Sequence, residues 1–135
     1  MKKFAKITAV VLVAVLALAA LVACGPASDP DKAVAALKKH EYAAAKDTII
    51  AGALKLVGVN TEAVVKGTKT VKDGDKSKLE TVTIVYFTDS AAAKNAWSKV
   101  EEYAKKDKDN DSDWTIKQSG AMIYWGTSAA IKAAR

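Results

Sequence analysis

The chain has 135 residues, half of them apolar, and a formal net charge of +6. That length builds one domain with a modest core and excludes two domains, repeat arrays and multi-span membrane proteins. The totals join two unlike pieces. Residues 1–23 carry three lysines and no acid, which leaves 112 residues from Cys24 onward with 18 basic and 15 acidic side chains, a net charge of +3. Twenty of those 112 are alanine, against four Leu, six Ile, nine Val and one Phe.

Lys2, Lys3 and Lys6 precede an apolar run from Ile7 to Ala23 interrupted only by Thr8. A basic start, an apolar stretch and small residues before a cut describe a secretory signal. The rival is a permanent anchor, since about 17 apolar residues can just span a bilayer. Cys24 decides between them. Leu21, Val22 and Ala23 followed by Cys24 and Gly25 resemble the lipobox of bacterial lipoproteins. The resemblance implies that a signal peptidase recognises Leu21-Val22-Ala23 and that Cys24 becomes the acylated first residue. A thiol is the best nucleophile for such a thioether link. Two or three acyl chains, at roughly 0.8 kcal/mol per buried CH₂, anchor a protein stably. Cys24 is also the only cysteine, so an internal disulfide is impossible and acylation consumes the single thiol.

Residues 24–29 are expected to be the acylated cysteine and a short tether, with one small domain over 30–135. At about 3.5 Å per residue, the tether holds the domain within roughly 15–20 Å of the lipid. Ser28 or Asp29 can cap a helix that has Pro30 at its first position and Val34, Leu37 and Tyr42 as a thin apolar stripe. Residues 41–47 are ambiguous: alanine propensity favours continued helix, whereas a short strand suits the topology below. Ile49 to Val57 returns to helical spacing and stops at Gly58.

From Ala63 the pattern becomes strand-like. Ala63–Val71 and Leu79–Thr88 are rich in β-branched residues, and the polar stretch 72–78 reads as a hairpin loop. Asp89 or Ser90 caps a helix to about Lys106, with Ala93, Ala96, Trp97, Val100, Tyr103 and Ala104 on its buried face. After a charged loop come strands 114–118 and 121–125, joined by Ser119-Gly120 as a two-residue turn, and a short helix beginning at Thr127 or Ser128. With 42–47 as a strand the order is β-α-β-β-α-β plus an edge strand. The expected fold is α+β: an antiparallel sheet of about four strands with helices on one face, in a split β-α-β, ferredoxin-like arrangement. The run from the Val/Ile-rich strand through the Asp-capped helix to Ser119-Gly120, Tyr124-Trp125-Gly126-Thr127 and Ala129-Ala130-Ile131-Lys132 resembles small uncharacterised lipoproteins of Gram-positive bacteria. It implies no activity.

Three side-chain sets invite a functional reading. Asp107, Asp109, Asp111 and Asp113 alternate as in a calcium loop. Counted from Asp107, however, the sixth and twelfth positions hold Ser112 and Gln118 where Gly and Glu belong. Counted from Asp109, Trp114 and Gly120 take those places, so a solvated loop is favoured and no metal is assigned. Tyr86, Trp114 and Tyr124 beside Lys117 could form a stacking surface on an open sheet face, against the simpler account of cross-strand packing. His40 is the only histidine and has no partner pattern for a metal site or a triad. Glu80 and Glu101-Glu102 lack the apolar setting that acid–base pairs need.

Lysine outnumbers arginine twenty to one and is scattered, which speaks against nucleic-acid recognition. The expectation is therefore a lipid-anchored module on the outer face of the bacterial cytoplasmic membrane, with the outer membrane as the alternative address. It is expected to be non-enzymatic, to need no cofactor, and to meet an envelope protein or an anionic wall polymer. The competing class is a small-ligand or Ca²⁺-binding lipoprotein serving a transporter.

Overall fold

Asp29 opens the first helix. Its carboxylate accepts the Asp31 amide at 2.9 Å, Pro30 takes the first position, and α1 runs Pro30–Lys39 in a computed structural model that describes residues 25–107 and 113–135. The helix closes by backbone capping: the Glu41 and Tyr42 amides donate to the Lys38 and Leu37 carbonyls at 3.0 and 2.9 Å. That closure places Glu41 in the left-handed region, φ 67°. Having left the helix there, the chain forms the short strand β1, Ala43–Lys46, which settles the ambiguity of residues 41–47.

Asp47 then accepts the Ile50 amide at 2.8 Å and caps α2, Thr48–Leu56. This helix closes as α1 does, with the Gly58 and Val59 amides on the Lys55 and Leu54 carbonyls. Here the left-handed position (φ 85°) falls on glycine, which adopts it without steric cost. Only Ile50 and Leu54 of α2 are buried, while Ile49 and Leu56 are 82% and 89% exposed.

β2 (Ala63–Asp73) and β3 (Lys76–Tyr86) form a hairpin longer than expected, because Asp73 pairs with Lys76 and only Gly74-Asp75 turn. Asp89 accepts the Ala92 amide at 2.8 Å near the start of α3, Ser90–Asp107. β4 (Thr115–Ser119) and β5 (Met122–Gly126) follow, then α4, Ser128–Ala133. Ser119 pairs with Met122, so the turn is Gly120-Ala121, one residue later than expected.

The five strands form one antiparallel sheet in the order β1-β2-β3-β5-β4. The α+β class is as expected, but the sheet has five strands rather than about four. β3 and β4 run parallel with β5 between them, which makes β3-α3-β4 a single split β-α-β connection. The interlocked pair of such units in a ferredoxin-like sheet is not formed, because β1 pairs antiparallel with β2 at the sheet edge.

Helices cover both faces, a correction to the one-face expectation. On one side α1 and α4 close a core of Leu37, Tyr42, Val65, Val82, Ile84, Tyr86, Met122, Tyr124 and Ile131. On the other, α2 and α3 close a second core of Ile50, Leu54, Val64, Val85, Phe87, Val100, Ile123 and Trp125. Every residue from Val82 to Phe87 and from Met122 to Gly126 is buried, as strands sandwiched between helical layers must be. Trp125, 1% exposed, meets Tyr103 edge-on at 6.2 Å and donates its indole N–H to Asp107 at 3.2 Å. The described members of both cores run from Ala27 to Ala134. Among the described residues no helix is long and apolar enough to cross a membrane.

Candidate functional site

The expected aromatic surface is divided by the sheet. A strand turns successive side chains to opposite faces. Trp114 therefore sits with Ile116 against the α2/α3 core, while Tyr86 and Tyr124 belong to the α1/α4 core. The two tyrosines are only 5% and 6% exposed, so no open stacking face exists there. Tyr86 donates its hydroxyl to the Ala27 carbonyl at 2.8 Å, and burial, then the charge of Asp29, pushes its pKa up.

The described part of the expected short tether, from Gly25 onward, is seated on this same face. The Ala27 amide donates to the Ala134 carbonyl at 2.8 Å. A Cβ added to Gly25 would stand 3.1 Å from Tyr124 Oη, so Gly25 lies directly against that ring.

Lys117 and Tyr124 do come together, as direct partners across β4 and β5. They line a cleft of about 560 Å³ with Lys78 and Glu80 from β3, and with Ser128, Lys132 and Arg135 at and beyond α4. Period two explains the strand contribution: Lys78 and Glu80 precede Val82 and Ile84 on the α1/α4 side. Register brings Lys117 beside Tyr124, and the docking of α4 brings Lys132 and Arg135, which no local pattern could have placed there. Including Asp113, the lining holds four cationic and two carboxylate side chains, a net side-chain charge of +2.

Both carboxylates are engaged by the fold. Glu80 accepts the Tyr42 hydroxyl at 2.7 Å. Burial, and then that bond, push the Tyr42 pKa up. Asp113 accepts both the amide and the hydroxyl of Ser128, holding the loop to the start of α4. The Ser128 hydroxyl is the chief cause that lowers the Asp113 pKa, against a smaller effect of burial, with Lys78 adding to the lowering. Among the described residues no carboxylate lies within ion-pair distance of Lys117, Lys132 or Arg135.

The remaining candidates are dispersed. Asp107 holds the Trp125 indole and Asp113 holds Ser128, so the described ends of the acidic run serve the fold; Asp109 and Asp111 lie outside the described residues. No three His, Cys, Asp or Glu side chains among the described residues are grouped to hold a metal ion. His40 ends α1 exposed, with its carbonyl accepting Lys69 Nζ at 3.1 Å. Glu101 and Glu102 pair with Lys105 and Lys106 at 3.7 and 3.9 Å along α3, an arrangement typical of a solvated helix face. Leu21, Val22, Ala23 and Cys24 lie outside the described residues. No family model, curated protein or solved structure matches the chain.

Proposed function

We propose that this chain is a bacterial lipoprotein, anchored through acylated Cys24 at the outer face of the cytoplasmic membrane. Its domain acts there as a non-enzymatic binding or accessory module, meeting an envelope protein or an anionic wall polymer. One observation carries the proposal: Leu21-Val22-Ala23-Cys24 closes an apolar run that begins after Lys2, Lys3 and Lys6. Signal cleavage before Cys24 and acylation of its thiol account together for the basic start, the apolar stretch and the single cysteine.

The chemistry of the domain supports a binding role. Its cleft presents cations and hydroxyls, and its carboxylates hold Tyr42 and Ser128 rather than facing one another as an acid–base pair. The small-ligand alternative draws support from the size of the cleft. Its calcium form is weaker, since Asp107 and Asp113 already hold Trp125 and Ser128.

Cys24→Ser tests the anchor. The expected product is an uncut precursor without acyl label, and normal processing of that variant would contradict the assignment. A hydrolase or transferase activity of residues 25–135 that vanished on one substitution in the cleft would contradict the non-enzymatic role.

A further inference from the structure

We infer that the cleft between β3, β4 and α4 is a site for a phosphate group, that of an anionic phospholipid headgroup, with Lys117, Lys132 and Arg135 as its cationic contacts. The inference takes the orientation of the domain from the proposed lipid anchor; the binding itself is testable without it.

Three observations lead there. The charge is cationic by design of the surrounding contacts. Glu80 and Asp113, the two acids in the lining, are occupied by Tyr42 and Ser128, while Lys117, Lys132 and Arg135 have no carboxylate in ion-pair range among the described residues. The chemistry suits phosphate: Arg135 is the only arginine in the chain, and its planar fork grips two phosphate oxygens at once, while the lysines supply point charges. At about 560 Å³ the cleft has room for a glycerophosphate and stays open at the surface.

The third observation is position. Tyr124 lines the cleft, and Gly25 lies against its hydroxyl. Cys24 precedes Gly25 in the sequence, so an anchor there joins a segment seated, from Gly25 onward, on this face. The bonds of Ala27 to Ala134 and Tyr86 pin the segment on this face of the sheet, the opposite side from α2 and α3. With the anchor proposed above, this face of the domain is the one turned toward the headgroups. At that depth each lysine or arginine adds roughly 1 kcal/mol of attraction to an anionic leaflet, about a fivefold gain in partitioning. A soluble phosphate or a phosphate-bearing wall polymer shares the chemistry but not the location.

The test uses non-acylated residues 25–135, which hold every described member of both cores, with vesicles of equal phosphatidylglycerol and phosphatidylcholine at low salt. The triple variant Lys117→Gln, Lys132→Gln, Arg135→Gln is compared with Lys55→Gln, Lys94→Gln, Lys106→Gln, which removes the same charge from α2 and α3. The cleft variant is expected to lose about a hundredfold in partitioning, from three fivefold contributions, and the far-face variant only a few-fold. Equal losses would show diffuse attraction to a basic protein and overturn the inference. The source of the phosphate is tested with inorganic phosphate at millimolar concentration, followed through the amide resonances of Thr115, Lys117 and Tyr124. Saturable shifts lost in the cleft variant, combined with no preference for phosphatidylglycerol vesicles over pure phosphatidylcholine, would also overturn the headgroup assignment and leave a soluble-phosphate site. Failure of the anchor appears elsewhere, in the processing of Cys24→Ser, and does not alter either measurement.

Discussion

Gly126→Ala is the single substitution on which the geometry makes its sharpest demand. Gly126 ends β5, pairs with Val82 on one side and Thr115 on the other, and has φ 145°. A Cβ at this position would stand 2.0 Å from the Thr81 carbonyl oxygen and 2.8 Å from Val82 Cα. Both obstacles are backbone, so no side-chain rotation relieves them and β3 must separate from β5. The unfavourable backbone conformation costs about 1–3 kcal/mol for a residue other than glycine. Separation also strains the bond from the Thr127 amide to the Thr81 carbonyl, 2.9 Å, and that from the Thr81 amide to Thr127 Oγ1, 3.3 Å. Each is worth about 1 kcal/mol. The sum is a loss of roughly 3–5 kcal/mol, a large share of the 5–15 kcal/mol typical of a domain. Urea unfolding of residues 25–135, followed by the fluorescence of the buried Trp125 and its neighbours, should show a much lower midpoint. A loss below about 1 kcal/mol would refute the β3–β5 register on which the cleft depends.

Other expectations follow from the same contacts. Glu41→Gly should raise stability by about 1 kcal/mol in urea unfolding, because Glu41 occupies the left-handed position that Gly58 fills at the end of α2; a loss would mean that the Glu41 side chain contributes something its exposed position does not show. Tyr42→Phe should cost about 1–2 kcal/mol by removing the 2.7 Å bond to Glu80, measured the same way. Tyr42 and Tyr86 have raised pKa values in the folded protein, so the unfolded chain loses these protons first, near pH 10. Stability attributable to them is complete below pH 10 and falls above it by up to about 1.4 kcal/mol per pH unit for each tyrosine. The double variant with phenylalanine at both positions should flatten that alkaline limb, and an unchanged slope would contradict the burial assigned to the hydroxyls. Asp113 has the opposite sign: its pKa is lowered from 3.8, so its contribution is present above that value and lost as pH falls through the lower folded value. Asp113→Asn should reduce the acid dependence of unfolding.

Much of the fold was written locally. Asp29-Pro30, Asp47 and Asp89 each accept an amide at the start of a helix, and Gly58 ends one, because caps depend on residues within a few positions. What escaped was set by tertiary packing. The unbroken apolar runs Val82–Phe87 and Met122–Trp125 carried the mark of burial on both faces, with Thr83 as their only polar residue, yet taking them as alternating strands placed helices on one side. The candidate surface failed for a related reason. Trp114 is one position out of phase with Thr115 and Lys117, so it faces the layer opposite Tyr124. Lys117 and Tyr124 survive as neighbours because strand register joins them. Lys78, Lys132 and Arg135 come from segments more than fifty residues apart, with no periodicity linking β3 to α4. The tether 24–29 read as polar spacer because composition does not reveal that Ala27 bonds to Ala134 and Tyr86.

The most direct measurement of the central claim is the mass of the N-terminal peptide of the protein recovered from bacterial membranes. The expected peptide begins at Cys24 and carries a thioether-linked diacylglyceryl group, with the protein partitioning into the detergent phase. A peptide beginning at Met1, or an unmodified Cys24 on a protein released into the soluble fraction, would contradict it.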